Sequence, residues 1–163
     1  MWVRLKKLKI YLDTSVISHL DATGRPDWME DTRKLWRDIT AGKYEIFISE
    51  MTMEELGRCR DDKFAAVMRL LSEIEYGIIS SCDEIDDLAQ KVIDMGILKP
   101  KSLDDCVHIA SAVISGCDMI VSWNFRHMVN VKTIKGIRAI TNLENYSNID
   151  IVAPTMLLES EDD

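Results

Sequence analysis

The stretch Leu8-Lys9-Ile10-Tyr11-Leu12-Asp13-Thr14-Ser15-Val16-Ile17 decides the fold. Its first five residues are an alternating run rich in β-formers, and Thr14 and Ser15 read as helix-starting residues, so the chain turns from strand to helix at Asp13. A carboxylate thereby lands at the carboxyl end of a strand. In open α/β sheets this rim is where ligands bind, and an unpaired carboxylate there is costly to desolvate without a cation or a proton partner.

Downstream, the same alternation of strand and helix recurs. A short helix from Ser15 to Leu20 gives way to a loop, Asp21 to Pro26, and then to a helix whose Trp28, Leu35, Trp36 and Ile39 share one face until Gly42. Tyr44 to Ile48 is a second strand. Ser49 to Cys59 reads as a helix, and Asp61 starts another through Phe64, Val67, Leu70, Leu71 and Ile74. Gly77 to Ser80 is a third strand, followed by a helix from Asp83 to Met95 and a break at Gly96 to Pro100. Leu103 to Ile114 is the most apolar helix, with small residues at Ile109-Ala110-Ser111-Ala112 suited to packing on a sheet. Met119 to Ser122, a helix from Thr133 to Leu143, and Ile149 to Val152 before Pro154 complete the series. The expected fold class is α/β: a three-layer α/β/α sandwich around a central, mainly parallel sheet of about five strands, joined by right-handed crossovers.

Size and composition agree with one domain over residues 1–163, its core at about 8–158 and a short acidic tail behind it. A chain of 163 residues, 47% hydrophobic and 29% charged, suffices for a sizeable core. No apolar run approaches the roughly 18 residues of a membrane span, and the start lacks the pattern of a signal peptide, so a cytoplasmic protein without membrane contact is expected. Cys59, Cys82, Cys106 and Cys117 fit neither a zinc site nor a disulfide frame and read as small apolar core residues. The methionines read as packing material. The net charge of −8, from 20 Lys+Arg against 28 Asp+Glu, argues against loose coating of nucleic acid. It leaves nucleic acid open as a substrate, because an enzyme that holds metal in a carboxylate cluster spends acidic residues on its site. Arg4, Lys6, Lys7 and Lys9 crowd the start and Glu159, Glu161, Asp162 and Asp163 the end, which reads as two solvated termini.

Oxygen-bearing side chains recur at three further transitions. Ser49-x-x-Thr52-x-x-Glu55-Leu56 places Glu55 in the helix after the second strand, Asp104 and Asp105 open the apolar helix, and Asn124 follows the fourth strand in the kind of rim position that Asp13 holds. Mg²⁺ and Mn²⁺ prefer such hard donors, Mg²⁺ typically using one or two carboxylates with waters and phosphate oxygens, so metal-assisted phosphodiester hydrolysis is the natural reaction class. Each residue has a second reading. Asp13 fits helix capping as well as ligation, with the strand-end position favouring ligation. Glu55 fits a solvated helix face equally well. Either of Asp104 and Asp105 suits the helix dipole, and Asp105 is favoured as the ligand by its turn neighbours. Asn124 is also a favoured turn residue. His108, between Val107 and Ile109, reads as a satisfied core imidazole rather than a ligand, Arg126 and His127 as surface residues within reach of a phosphate, and Asp118 as a turn residue.

Taken together, Leu12-Asp13-Thr14-Ser15-Val16-Ile17, the Ser49 to Leu56 motif, Asp105-Cys106-Val107-His108-Ile109-Ala110-Ser111-Ala112 and Ile120-Val121-Ser122-Trp123-Asn124 resemble the motif series of PIN-domain nucleases. The resemblance spans about Leu8 to Leu158 and includes the closing Ile149-Asp150-Ile151-Val152-Ala153-Pro154-Thr155 segment. It implies a Mg²⁺- or Mn²⁺-dependent endoribonuclease, often the toxin of a VapC-type toxin–antitoxin pair, acting on single-stranded RNA. It further implies Asp13 and Asp105 as metal ligands, Glu55 as the third acid, and Asn124 at the fourth catalytic position, where many members carry Asp. A homodimer and a small antitoxin partner belong to the same implication, with no other cofactor.

Two rivals stand beside it. Asn124 motivates a PIN-fold binding module that has lost turnover. A phosphatase of the haloacid-dehalogenase type with Asp13 as nucleophile ranks low, because Ser15 occupies the place where such enzymes carry a second Asp.

Overall fold

The computed structural model describes residues 6–160. Arg4 of the basic start and Glu161, Asp162 and Asp163 of the acidic end lie outside the described residues. Five strands form one all-parallel sheet: β1 (Lys9–Leu12), β2 (Glu45–Ser49), β3 (Gly77–Ile79), β4 (Met119–Val121) and β5 (Asp150–Val152), in the order β3-β2-β1-β4-β5. Helices α1 (Thr14–Ser18), α2 (Pro26–Thr40), α3 (Glu50–Gly57) and α4 (Asp61–Leu71) supply one layer. Helices α5 (Asp83–Asp94), α6 (Leu103–Ile114) and α7 (Val131–Leu143) supply the other.

A parallel sheet covered on both faces buries successive side chains of a strand in opposite layers. Strand β1 does this. Ile10 and Leu12 pack with Val16, Leu35, Leu56 and Val67 from the first layer, whereas Tyr11 points into the second among Ile109, Ala110 and Ile120. All three are fully buried, which at about 1.5–3 kcal/mol for each large apolar side chain makes β1 the spine of the core.

Element ends follow local chemistry. Ser49 and Thr52 form a capping box at the start of α3, each side chain taking the other's backbone N–H. Asn130 caps α7 by accepting from Thr133 N–H, so this helix begins at Val131, two residues before the sequence-based start. Helix α1 stops at Ser18 and tightens into a 3₁₀ turn over His19–Asp21. Asp118 does more than turn the chain, since its Oδ2 accepts the Lys9 N–H at 2.8 Å and ties β4 to the start of β1.

The cysteines divide. Cys106 and Cys117 are buried, and burial pushes both thiols up to about 12. Cys82 corrects the expectation of four core cysteines: it is exposed at the N-cap of α5, where the chain leaves β3 for the surface, and Cys59 is half-buried. The methionines divide too, with Met128 buried and Met95 and Met156 exposed. No helix among the described residues is long and apolar enough to cross a membrane.

The strand order has a functional consequence. From β1 the chain first builds outward through β2 to β3, then returns to the other side of β1 for β4 and β5. The reversal lies between β1 and β4, and in open parallel sheets a crevice opens outside the carboxyl ends of the strands there.

Candidate active site

Asp13 leaves β1 at that crevice. It stands at the N-cap of α1, yet its side chain caps nothing. Instead Oδ2 accepts from Ser15 Oγ at 2.7 Å and from Ser122 Oγ at 2.8 Å. Ser15 Oγ in turn accepts the Trp123 N–H and Ser122 Oγ the Asn124 N–H, both at 2.9 Å. Two serines thus lock the turn after β1 to the turn after β4 and fix the carboxylate between them. Asp13 is only 5% exposed, and its Oδ1 has no hydrogen bond among the described residues.

Asp105 comes from the first turn of α6, and the loop after β4 addresses both of its oxygens. His127 Nδ1–H donates to Oδ2 at 2.8 Å, and Asn124 Nδ2 donates to Oδ1 at 3.4 Å. Burial, then the charge of Asp13, push the Asp105 carboxyl above the usual range, against the opposing pull of His127. Its neighbour Asp104 faces outward, exposed and 3.7 Å from Arg58.

Glu55 reaches the same crevice from α3. Its Oε1 accepts from Thr14 Oγ1 at 3.2 Å and from Nε2 of His108. The imidazole, 1% exposed, also meets the Tyr11 hydroxyl through Nδ1 at 2.6 Å, and its Nε2 stands 3.7 Å from Asp13 Oδ1. Tyr11 Oη touches Ser49 Oγ at 2.7 Å, so a buried polar string runs from the α3 cap through Tyr11 and His108 to Glu55. Burial would discharge both ends, but for each the mutual bond outweighs it: Glu55 titrates below its usual range and His108 above. Together they form an ion pair of which Glu55 reaches the pocket and His108 is buried behind it.

Asp13, Glu55, Asp105 and Asn124 therefore line one open pocket of about 380 Å³, with Trp123 and His19 among its walls. Trp123 stacks on Trp28 at 4.6 Å and donates its Nε1–H to Thr32. His19 Nδ1–H donates to the Ser15 carbonyl oxygen at 2.6 Å.

The donor set suits a hard divalent cation. Two neighbouring carboxylates, one of them raised partly by the other's charge, are relieved by a cation between them, and Mg²⁺ is commonly held by one or two carboxylates with the remaining positions filled by water and phosphate. Asp13 and Asp105 are the residues that would hold the ion, in the pocket that Glu55 also lines. Asn124 turns its amide oxygen inward to its own loop, accepting the His127 N–H at 2.9 Å, and offers Asp105 a donor.

Reading the sequence by neighbours missed several of these parts. His108 is a buried imidazole as expected, but it is spent on Glu55; the signal was its i, i+3 spacing from Asp105 on α6. His127 is half-buried and bonded to Asp105 rather than a free surface group. The sequence reading does not single out Ser15, Ser122 or His19 as site residues, although Ser15 stands two residues beyond Asp13 and Ser122 directly follows β4.

The fold is similar to that of VapC-type PIN-domain proteins. Two solved structures carry the comparison. A chain of the VapBC2 complex from Rickettsia felis, solved with a DNA fragment from their promoter, superimposes with a TM-score of 0.54 at 12% identity, covering 90% of this chain and 98% of that one. VapC20 of Mycobacterium tuberculosis, described as a Sarcin-Ricin loop cleaving toxin, gives 0.56 at 16% identity, covering 72% and 92%. No family model matches the sequence, and no curated protein matches it.

Proposed function

We propose that this chain is a Mg²⁺- or Mn²⁺-dependent endoribonuclease that hydrolyses phosphodiester bonds of single-stranded RNA in the cytoplasm. The observation that carries the reading is the convergence of Asp13 and Asp105, from residues 92 apart in the chain, in one pocket at the switch point of a VapC-like sheet. The divalent ion they would hold supplies charge neutralisation at the scissile phosphate and activation of water. The chain's own residues do the rest. Ser15 and Ser122 hold Asp13 so that one oxygen stays available. Glu55, ionised and held by His108 and Thr14, is the base that takes the proton of the attacking water. His127 and Asn124 orient Asp105. The likeness to VapC proteins supports a toxin role with a small antitoxin partner, and a homodimer is part of the same proposal.

Incubation of a labelled single-stranded RNA with the protein tests this. Cleavage is expected with Mn²⁺ or Mg²⁺, none with EDTA, and none for folded Asp13→Ala or Asp105→Ala protein. Cleavage that survives EDTA overturns the reading.

A second reading, a PIN-fold module that binds without turnover, is favoured by one observation: Asn124 brings no charge to the fourth position. Metal and RNA binding without cleavage would select it.

A further inference from the structure

Beside the acidic pocket lies a cleft of opposite character. It has a volume of about 210 Å³, and Lys99, Lys101, Arg126 and Lys132 line it with no acidic residue among them. All four are exposed, and none has an ion pair among the described residues. In a chain of net charge −8 this is a local reversal of sign. Four unneutralised cations converge from the 3₁₀ turn Pro100–Ser102, the loop after β4 and the start of α7.

Two features connect the cleft to the pocket. His127 lines the cleft while bonded to Asp105 in the pocket. The loop after β4 serves both cavities, with Trp123 and Asn124 on the pocket and Arg126, His127 and Asn130 on the cleft. Asn130 holds that loop in shape, its Nδ2 donating to the carbonyl oxygens of Phe125 and Arg126 at 3.0 and 3.1 Å. Between the two cavities in sequence stands Phe125, 45% exposed and tilted against Trp28 and Trp123 at 5.7 and 6.3 Å.

Cations that track a backbone and an exposed aromatic face that can stack a base are the two parts from which single-stranded nucleic acid sites are built. We propose that the Lys99–Lys101–Arg126–Lys132 cleft binds backbone phosphates of the RNA strand flanking the bond to be cut. The proposal rests on the ribonuclease reading, and it locates the charge-driven grip of an acidic protein in one cleft rather than over its surface.

The test measures binding rather than cutting. Asp13→Asn protein in EDTA is titrated into a fluorescein-labelled single-stranded RNA, and anisotropy is followed from about 50 to about 200 mM KCl, with and without Lys99→Ala, Lys101→Ala and Lys132→Ala together. Each lost phosphate contact lowers the salt slope on a single strand by about 0.7, so the triple variant should bind every sequence more weakly with a slope smaller by about two. The affinity advantage of the parent should then shrink roughly 20-fold across that salt range. Unfolding temperature should not change, and the corresponding triple Arg variant should retain binding. Equal affinity and slope in parent and triple Ala variant would overturn the cleft, even where wild-type protein cuts RNA. The expected loss in a protein that never cuts RNA would keep the cleft and discard the nuclease. A poly-glutamate peptide that binds more tightly than RNA at equal salt would assign the cleft to an acidic protein segment and overturn the proposal.

Discussion

Replacing His108 by leucine removes the centre of the buried string and tests whether it supports Glu55. The Tyr11 hydroxyl keeps Ser49 and Thr52, so it is not orphaned. Glu55 loses a charged donor, a loss worth about 1.5–3 kcal/mol, and its partial exposure lets water recover part of it. Poorer packing at a fully enclosed site adds a similar or smaller amount. A net loss of about 2–3 kcal/mol is expected, lowering Tm by roughly 4–12 °C for a chain of this size. The stability should also depend on pH with a definite sign. His108 titrates above its ordinary 6.5, so its contribution is complete below 6.5 and is lost as pH rises through the raised value. Glu55 titrates below its ordinary 4.5, so its contribution is complete above 4.5 and is lost as pH falls through the lowered value. The pair is therefore whole between 4.5 and 6.5. Urea unfolding of wild-type and His108→Gln protein, at about pH 5.5 and about pH 9, should show the wild-type advantage shrinking at the higher pH. An advantage that grows with pH, or a His108→Leu protein as stable as wild type, would refute the ion pair.

Two further substitutions probe the frame of the site. Ser122→Ala takes one hydrogen bond from the Asp13 carboxylate and leaves the Asn124 N–H without its acceptor, so chemical unfolding should report a loss of about 2 kcal/mol. Adding Ser15→Ala should cost more than its own single effect, because either serine alone still donates to the shared oxygen and losing both leaves a buried carboxylate oxygen without its hydroxyl donors. Gly136 lies inside α7, where alanine would ordinarily add about 1 kcal/mol, but a Cβ there would stand 2.7 Å from Ile97 Cγ1. Gly136→Ala should therefore lower Tm; a rise would mean that α7 does not pack so closely on Ile97.

What sequence made legible was local. Ile10, Tyr11 and Leu12 read as a strand and Asp13 as its rim because β-propensity and helix-start signals act over a few residues. Turn neighbours favour Asp105 over Asp104 as the inward residue, and the two do face different ways, one into the pocket and one toward Arg58. Non-local pairing was not legible. Nothing in the order of strands says that β4 lies against β1, yet that adjacency brings Ser122 within reach of Asp13 across 109 positions. His108 meets Tyr11 across 97 positions, so its flanking Val107 and Ile109 announced burial and concealed the partner. Cys82 failed as a core residue for the same reason, since composition cannot say which helix cap faces water. The basic cleft was hidden because its four cations are scattered over three segments of an acidic chain.

Calorimetric titration of Mn²⁺ into the metal-free protein, without RNA, probes the paired carboxylates most directly. Wild-type protein should bind the ion, Asp13→Asn and Asp105→Asn should each lose more than about tenfold in affinity, and Asp104→Asn, one residue away and facing solvent, should match wild type. An Asp105→Asn protein that takes up Mn²⁺ as tightly as wild type would contradict the account.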